Sequence, residues 1–406
     1  MQQQFTHLDR WLVKHQKYWR IEPFLFVCNQ HDALPNLPSR ILEWLDSLQP
    51  SDITDLKQNP ESLQSTLFEL VPSLFDSSII ESEYQYAAVP PSLDSHLYAG
   101  IPGRKLTQIN AMSAVCLDGE HDLPWLEWCS GKGYLGRILA TVSNRTVTSL
   151  EYQEQLCVDG QSLADKLNLP MNFVHGDALS PQAQSLCHSE QHAVALHACG
   201  NLHVTLIKNA ALAGTKALTI APCCYHLIGD DHYQPLSTAA KASELKLSKS
   251  DLRIPLQETV TGGERVHRHR QLEMTYRLAF QHLIGQELGL TDYLPIPSIK
   301  KSLLAEGFEA FCFWAAEKKA LSLPNVDFGY YQSMGEMSFW RMEALSLLPQ
   351  IFRRPLERWL VLDRALYLTE KGYEVTVGTF CERQATPRNL IIRADLRKQS
   401  EVPLKG

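Results

Sequence analysis

No run of about 18 apolar residues occurs in the 406-residue chain, so no membrane-spanning helix is expected. The first twenty residues, MQQQFTHLDRWLVKHQKYWR, are charged throughout and lack the apolar stretch of a secretory signal. The ten cysteines follow no repeating spacing and include no CxxC pair, which excludes a disulfide framework and points to a reducing cytoplasm. No internal repeat and no low-complexity segment is found. Positive charge is not in excess. The net charge of −7 weighs against a general polyanion binder, yet it leaves room for a local basic groove. What is present is a globular composition, 44% hydrophobic and 20% charged. The length exceeds the roughly 100–200 residues of an ordinary domain, so two structural units are expected.

Residues 1–95 read as helical. Phe5, Leu8, Trp11 and Leu12 fall on one helical face, as do Ile41, Leu42, Leu45 and Leu48, and Leu63, Leu67 and Leu70. Prolines 35, 38, 50, 60 and 72 punctuate these stretches, and nothing catalytic shows among them. From about residue 122 the texture changes. Short apolar runs at 125–128, 146–150, 171–174, 193–197 and 217–221 alternate with helical stretches at 134–142, 153–167 and 202–212. This rhythm predicts a doubly wound parallel sheet. It stops after Tyr225. Helical stretches at 273–288, 299–306 and 308–320 follow, then an amphipathic helix over 356–370 and two strands at 373–380 and 389–394. The last two strands are read as an antiparallel pair closing the sheet. The expected organisation is thus an α/β, Rossmann-like, seven-stranded sheet with a helical N-terminal domain (1–95), a core (96–226), a helical insertion (227–345) and a C-terminal part of the core (346–406).

The strongest local signal is LEWCSGKGYLG, Leu126–Gly136. A strand ends near Glu127, a turn carrying Cys129, Gly131 and Gly133 follows, and a helix begins. Glycine lets the backbone approach a ligand and take positive φ, and the helix start offers unpaired N–H groups. Glu151 ends the second strand, where a carboxylate can accept hydrogen bonds from a ribose diol. Asp177 ends the third, placed to meet an adenine amino group. Gly131, Gly133 and Gly136 satisfy GxGxxG, so spacing alone leaves a dinucleotide in play. Glu127 tips the balance. It would repel a pyrophosphate at the helix N-terminus but suits the ammonium group of a methionine moiety, which favours S-adenosylmethionine.

Four motifs in order, ExxSGKGxLG (127–136), LHACG (196–200), PCCYH (222–226) and LDRxLYLxExG with PRN (362–372, 387–389), resemble one family of class I S-adenosylmethionine-dependent methyltransferases. That family includes the methyltransferase half of the vertebrate protein named for its glutathione-S-transferase C-terminal-like domain. It looks related to the eukaryotic 2′-O-methyltransferases of the tRNA acceptor stem. The resemblance covers roughly residues 100–226 and 355–395. It implies that Glu127, Cys129, Gly131 and Gly133 surround the methionine part, Glu151 holds the ribose, and Asp177 and Ala178 face the adenine. It further implies that His197, Ala198 and Cys199 border the sulfonium and the acceptor, and that Lys105 and Gln108 reach the cofactor carboxylate. Trp128 and Cys129 depart from the small residues usual in such turns.

His197, Cys199, Cys223, Cys224 and His226 come from the ends of the fourth and fifth strands. Three readings stay open. The cysteines pack an active-site wall. Or Cys223, beside Pro222, is a nucleophile toward a pyrimidine, with a nearby histidine lowering its pKa, although the motif is not that of pyrimidine C5 enzymes. Or the group holds a metal, against which stands the adjacency of Cys223 and Cys224; no metal is assigned. For an oxygen or amine acceptor, His197 or His226 would serve as base, and Tyr225 would stack on or hydrogen-bond a planar acceptor.

GGERVHRHR (262–270) reads as a basic loop carrying Arg265, Arg268 and Arg270; Arg388 and Asn389 sit between the last two strands. Together they are expected to contact the substrate, with structured RNA, tRNA or rRNA, as the leading acceptor. Protein or small-molecule methylation is the rival, and a cofactor-binding scaffold without turnover is the alternative from another class.

Overall fold

The computed structural model describes residues 1–29, 37–80, 83–119, 121–257 and 264–397. It divides into two units. The first comprises Met1–Val13, Ser78–Val260 and Arg354–Gly406; the second comprises Lys14–Ser77 and Thr261–Arg353. This partition differs from the sequence reading, which kept 1–95 and 227–345 apart: parts of both share the second unit, and residues 83–95 fall in the first. The first helix, Gln2–Lys14, lies almost wholly in the first unit, residues 227–257 belong there as well rather than to a helical insertion, and residues 346–353 fall in the second unit.

The first unit holds a seven-stranded sheet: β1 Trp125–Trp128, β2 Val147–Glu151, β3 Met171–His175, β4 His192–Cys199, β5 Ala217–Cys223, β6 Tyr373–Thr379 and β7 Leu390–Leu396. The order is β3-β2-β1-β4-β5-β7-β6. Strands β1 to β5 pair in parallel, whereas β7 runs antiparallel between β5 and β6. The expected antiparallel closing pair is therefore present. Every residue of β1 and β5 is buried, including the polar Glu127 and Thr219, as strands covered on both faces require. Between β2 and β4, strand β1 marks the point where the winding reverses. Open α/β sheets bind ligands at the carboxyl ends of the strands flanking such a point.

Helix Gly103–Leu117 packs Ile109, Met112, Val115 and Cys116 against Leu135, Ile138 and Leu139 of helix Tyr134–Ser143. Sequence periodicity misses the first of these because polar Thr107, Gln108 and Asn110 interrupt its apolar stripe. Arg137, buried, donates to the carbonyls of Leu97 (3.0 Å) and Ala99 (3.3 Å) and so ties down the chain entering that helix.

The described residues of the second unit form helices and the segments that join them, with no strand among them. Its longest helix, Glu264–Leu288, packs Tyr276, Ala279, Phe280 and Leu283 with Phe308, Phe311 and Tyr331. Helix Phe328–Leu345 crosses it at Gly335, where a β-carbon would stand 2.5 Å from the Thr275 carbonyl oxygen; only glycine admits that approach. The segment read as a basic loop is, from Glu264 onward, the start of this long helix; Gly262 and Gly263 lie outside the described residues.

Candidate active site

At the carboxyl ends of β1, β2, β3 and β4 lies a cavity of about 590 Å³. Of the proposed cofactor residues, Lys105, Glu127, Cys129, Gly131, Glu151, Asp177, Ala178 and His197 line it. Tyr134, Tyr152 and Leu202 complete much of the wall. The volume is that of an ordinary small-molecule site.

The turn after β1 is built from unusual backbone. Cys129 has φ 56°, Gly131 59° and Gly133 68°. Each of the glycines in GxGxxG answers a different need. Gly131 faces open space and donates its N–H to Glu151 Oε2 at 2.8 Å. Gly133 does not line the cavity, contrary to expectation; a β-carbon there would stand 2.4 Å from the Phe173 ring. Gly136 brings the helix against Glu127, whose Oε2 would be 2.5 Å from an added β-carbon.

Glu127 is 4% exposed, accepts from Ser149 Oγ at 2.8 Å and takes backbone hydrogen bonds from Gly136 and Leu135. The carboxyl group thus occupies the helix start at which a dinucleotide fold would present N–H groups to a pyrophosphate. Burial pushes its pKa up to about 7. Lys105, above the Tyr134 ring at 5.2 Å, supplies the opposite charge on the cavity wall. Glu151 holds its two oxygens in place by accepting from Gly131 N (2.8 Å) and Gln153 N (2.9 Å). Asp177 accepts from Leu179 N at 2.9 Å, which fixes the turn after β3. Ser130 Oγ is buried in the cavity wall with no hydrogen-bond partner among the described residues.

These groups fit an amino-acid-bearing nucleoside. A cation and a carboxyl group face a zwitterion, a fixed carboxylate faces a diol, and a buried hydroxyl awaits a partner. An acidic group at the helix start does not fit a pyrophosphate.

Two strand ends depart from regular geometry. His197, in β4, has φ 68°, and a register irregularity falls between Leu196 and Cys199. Cys224, just after β5, has φ 48°. Non-glycine residues with positive φ are uncommon and gather at functional sites. Burial, followed by the Lys105 charge, lowers the His197 pKa. Gly200, with φ 56° and ψ −123°, closes the LHACG turn, where a β-carbon would overlap the Leu227 carbonyl oxygen at 2.0 Å. Behind it, His203 is fully buried and was missed by the sequence reading. Its Nδ1 lies 2.7 Å from the Ala198 carbonyl, and its Nε2 accepts from Arg364 Nε at 2.8 Å.

Several expected site residues have other duties. Gln108 donates to the Ala385 carbonyl at 2.9 Å and does not line the cavity. Tyr225 is 0% exposed and donates to Pro222 O and Glu357, so it cannot stack on an acceptor. Asn389 is buried, donating to Cys381 O (2.6 Å) and accepting from Arg354 (2.9 Å), which makes it structural. Cys199, Cys223 and His226 lie outside the cavity lining; Cys223 is buried, and its thiol partners Cys199 and Cys224 push its pKa up, so it is not a poised nucleophile. In the second unit, Arg270 pairs with Glu343 at 2.8 Å, whereas Arg265 and Arg268 are exposed on the first turns of helix Glu264–Leu288 and have no ion pair among the described residues. Contacts of this kind join residues distant in sequence, so motif spacing carries no trace of them.

Residues 104–231 match the family model described as a methyltransferase domain. No curated protein matches the chain. Among solved structures, an S-adenosylmethionine-dependent methyltransferase from Aquifex aeolicus is 13% identical with a TM-score of 0.24, covering 32% of this chain and 72% of that one. Aeropyrum pernix fibrillarin, solved with bound S-adenosylmethionine, is 12% identical with a TM-score of 0.24, covering 28% of this chain and 55% of that one. Magnesium protoporphyrin IX methyltransferase from Synechocystis PCC 6803, solved with S-adenosylhomocysteine, is 10% identical with a TM-score of 0.32, covering 75% and 92%. The segment that builds the cavity is a methyltransferase domain, and its cofactor is S-adenosylmethionine. No helix among the described residues is long and apolar enough to cross a membrane.

With the cofactor ammonium at Glu127, as the sequence leads one to expect, cofactor binding is expected to depend on pH. Its pKa near 7 leaves it largely neutral below that pH, and an ammonium group placed there would favour the anion. Binding therefore releases a proton, and affinity is expected to rise as pH rises through about 7 and to level off above it. Lys105, Arg137, Cys116 and Ser149 are the titratable or polar groups facing Glu127. Calorimetric titration with S-adenosylhomocysteine across this range checks the slope, and Glu127→Gln is expected to flatten it.

Proposed function

We propose that this methyltransferase acts on structured RNA, tRNA or rRNA. The observation that carries this reading is the exposed pair Arg265 and Arg268 on the first turns of helix Glu264–Leu288, with His267 and His269 beside them. Arginine forks contact phosphate bidentately, and a helix N-terminus adds its own partial positive charge. The resemblance to tRNA acceptor-stem enzymes supports the same acceptor. Arg270, held by Glu343, is left out of the set.

In this reading Lys105 takes the cofactor carboxylate, Glu127 the ammonium, Glu151 the ribose hydroxyls, and Asp177 with Ala178 the adenine. The bound cofactor supplies a methyl group already activated on a sulfonium. The chain's work is then alignment: rigid strand ends hold the donor while the wall at His197 shapes the place of the acceptor, and orientation alone can contribute much of the rate. Tyr152, 69% exposed on the cavity rim, offers a face on which a base can stack.

The test is transfer of labelled methyl into separated RNA, protein and small-molecule fractions of a deletion-strain extract. Label in one RNA size class is expected. Arg265→Ala with Arg268→Ala should weaken RNA binding and reduce its salt slope by about one per lost phosphate contact. Label confined to protein or metabolites would overturn the RNA reading. Cofactor binding with no label in any fraction would favour a scaffold.

A further inference from the structure

We propose that Cys199, Cys223 and Cys224 form a zinc site of three thiolate ligands, with the fourth position filled from outside the cluster. The three sulfur atoms lie within 4.8 Å of one another, and Cys199 Sγ is 3.5 Å from Cys223 Sγ. Zinc–sulfur bonds of about 2.3 Å in a tetrahedron put neighbouring sulfurs about 3.8 Å apart, so the thiols already stand near ligand spacing.

The backbone is bent to bring them there. In a regular strand neighbouring side chains point to opposite faces, so adjacent Cys223 and Cys224 would diverge. The left-handed φ of 48° at Cys224 breaks that alternation just past the end of β5. On β4, the irregularity between Leu196 and Cys199, with φ 68° at His197, sets Cys199 directly opposite Cys223. Two non-glycine residues in a costly conformation thus converge on one cluster, which packing alone does not require. This geometry answers the objection that adjacent cysteines seldom share an ion.

The charge balance is also suitable. Three thiolates and Zn²⁺ leave one net negative charge, and Arg388 is a positive neighbour of Cys199 and Cys224, with His226 also beside Cys224. Each Zn–S bond forms as its thiol gives up a proton to solvent, so binding releases protons and tightens with pH. Soft thiolate ligands favour zinc over calcium or magnesium. Because His197, two residues before Cys199, lines the cofactor cavity, the ion would pin that wall. The proposal is independent of the acceptor's identity.

Metal analysis of the full chain, purified without chelator or added oxidant, tests it. One zinc per chain is expected. Cys224→Ser, at a half-buried position, should lose it, as should Cys199→Ser, while Cys312→Ala in the second unit should keep it. Dialysis of the wild-type chain against a chelator, then cobalt, should give a thiolate-to-metal charge-transfer band even if a variant fails to fold. Zinc at background level in the wild type, zinc retained by the Cys199/Cys224 double variant, or a Cys199–Cys223 disulfide in the purified chain would each overturn the site.

Discussion

Replacing Asp363 by alanine is expected to destabilise the first unit by about 3–5 kcal/mol, the scale for breaking a buried charged network by removing one partner. Asp363 is 0% exposed in helix Arg353–Glu370. It accepts from Leu236 N at 2.9 Å, Ser237 N at 2.7 Å and Tyr233 Oη at 2.5 Å. Removing the carboxylate strands two backbone donors and a phenol in the interior, where water cannot replace it. Next to it, Arg364 donates to Tyr233 Oη (3.1 Å), Leu360 O (2.6 Å) and His203 Nε2 (2.8 Å). Through His203 the network reaches the Ala198 carbonyl at the end of β4, so the loss spreads toward the cofactor wall. At roughly 2–4 °C per kcal/mol for a domain of this size, calorimetry should show the melting temperature falling by roughly 6–20 °C. A fall of a degree or less would contradict the network's role.

Asp363 and Arg364 belong to the terminal LDR motif, which the sequence reading could tie only to a family. The pair is structural, and the reason lies in residues more than a hundred positions away. The sheet itself was legible. Strands such as 217–223 are mostly apolar because both faces are covered, and glycines mark the turns between them. Helix Phe328–Leu345 was not legible, since FGYYQSMGEMSFWRMEAL carries apolar residues on every side and contains two glycines. The basic segment was misread as a loop because Gly262 and Gly263 precede it, yet a helix starts at Glu264.

At the site, the strand-end rule found Glu127, Glu151 and Asp177 because chain topology alone brings the carboxyl ends of parallel strands together. Gln108, taken from the resemblance, Tyr225, taken from the end of the fifth strand, and Asn389, taken from the segment between the last two strands, have instead the partners Ala385, Glu357 and Arg354, which are set by tertiary packing. His203 gave no signal, since a buried histidine three residues past a glycine has no motif of its own.

Glu151→Ala is expected to weaken cofactor binding by about 1–3 kcal/mol, roughly 5- to 150-fold in affinity. Glu151 is 8% exposed, so hydrogen bonds from it to a ribose diol would form largely away from water. Each of its oxygens already accepts one backbone N–H, from Gly131 and from Gln153, and keeps a second lone-pair direction for the ligand. The same carboxylate fixes the turn after β1, so its removal loosens the cradle as well as the contact. Calorimetric titration of S-adenosylhomocysteine into the wild-type chain and into Glu151→Ala is the most direct test that this cavity holds the methyl donor. Saturable one-to-one binding in the wild type, lost or weakened at least fivefold in the variant, is the expected result. Wild-type affinity in Glu151→Ala, or no binding by the wild-type chain, would contradict the account.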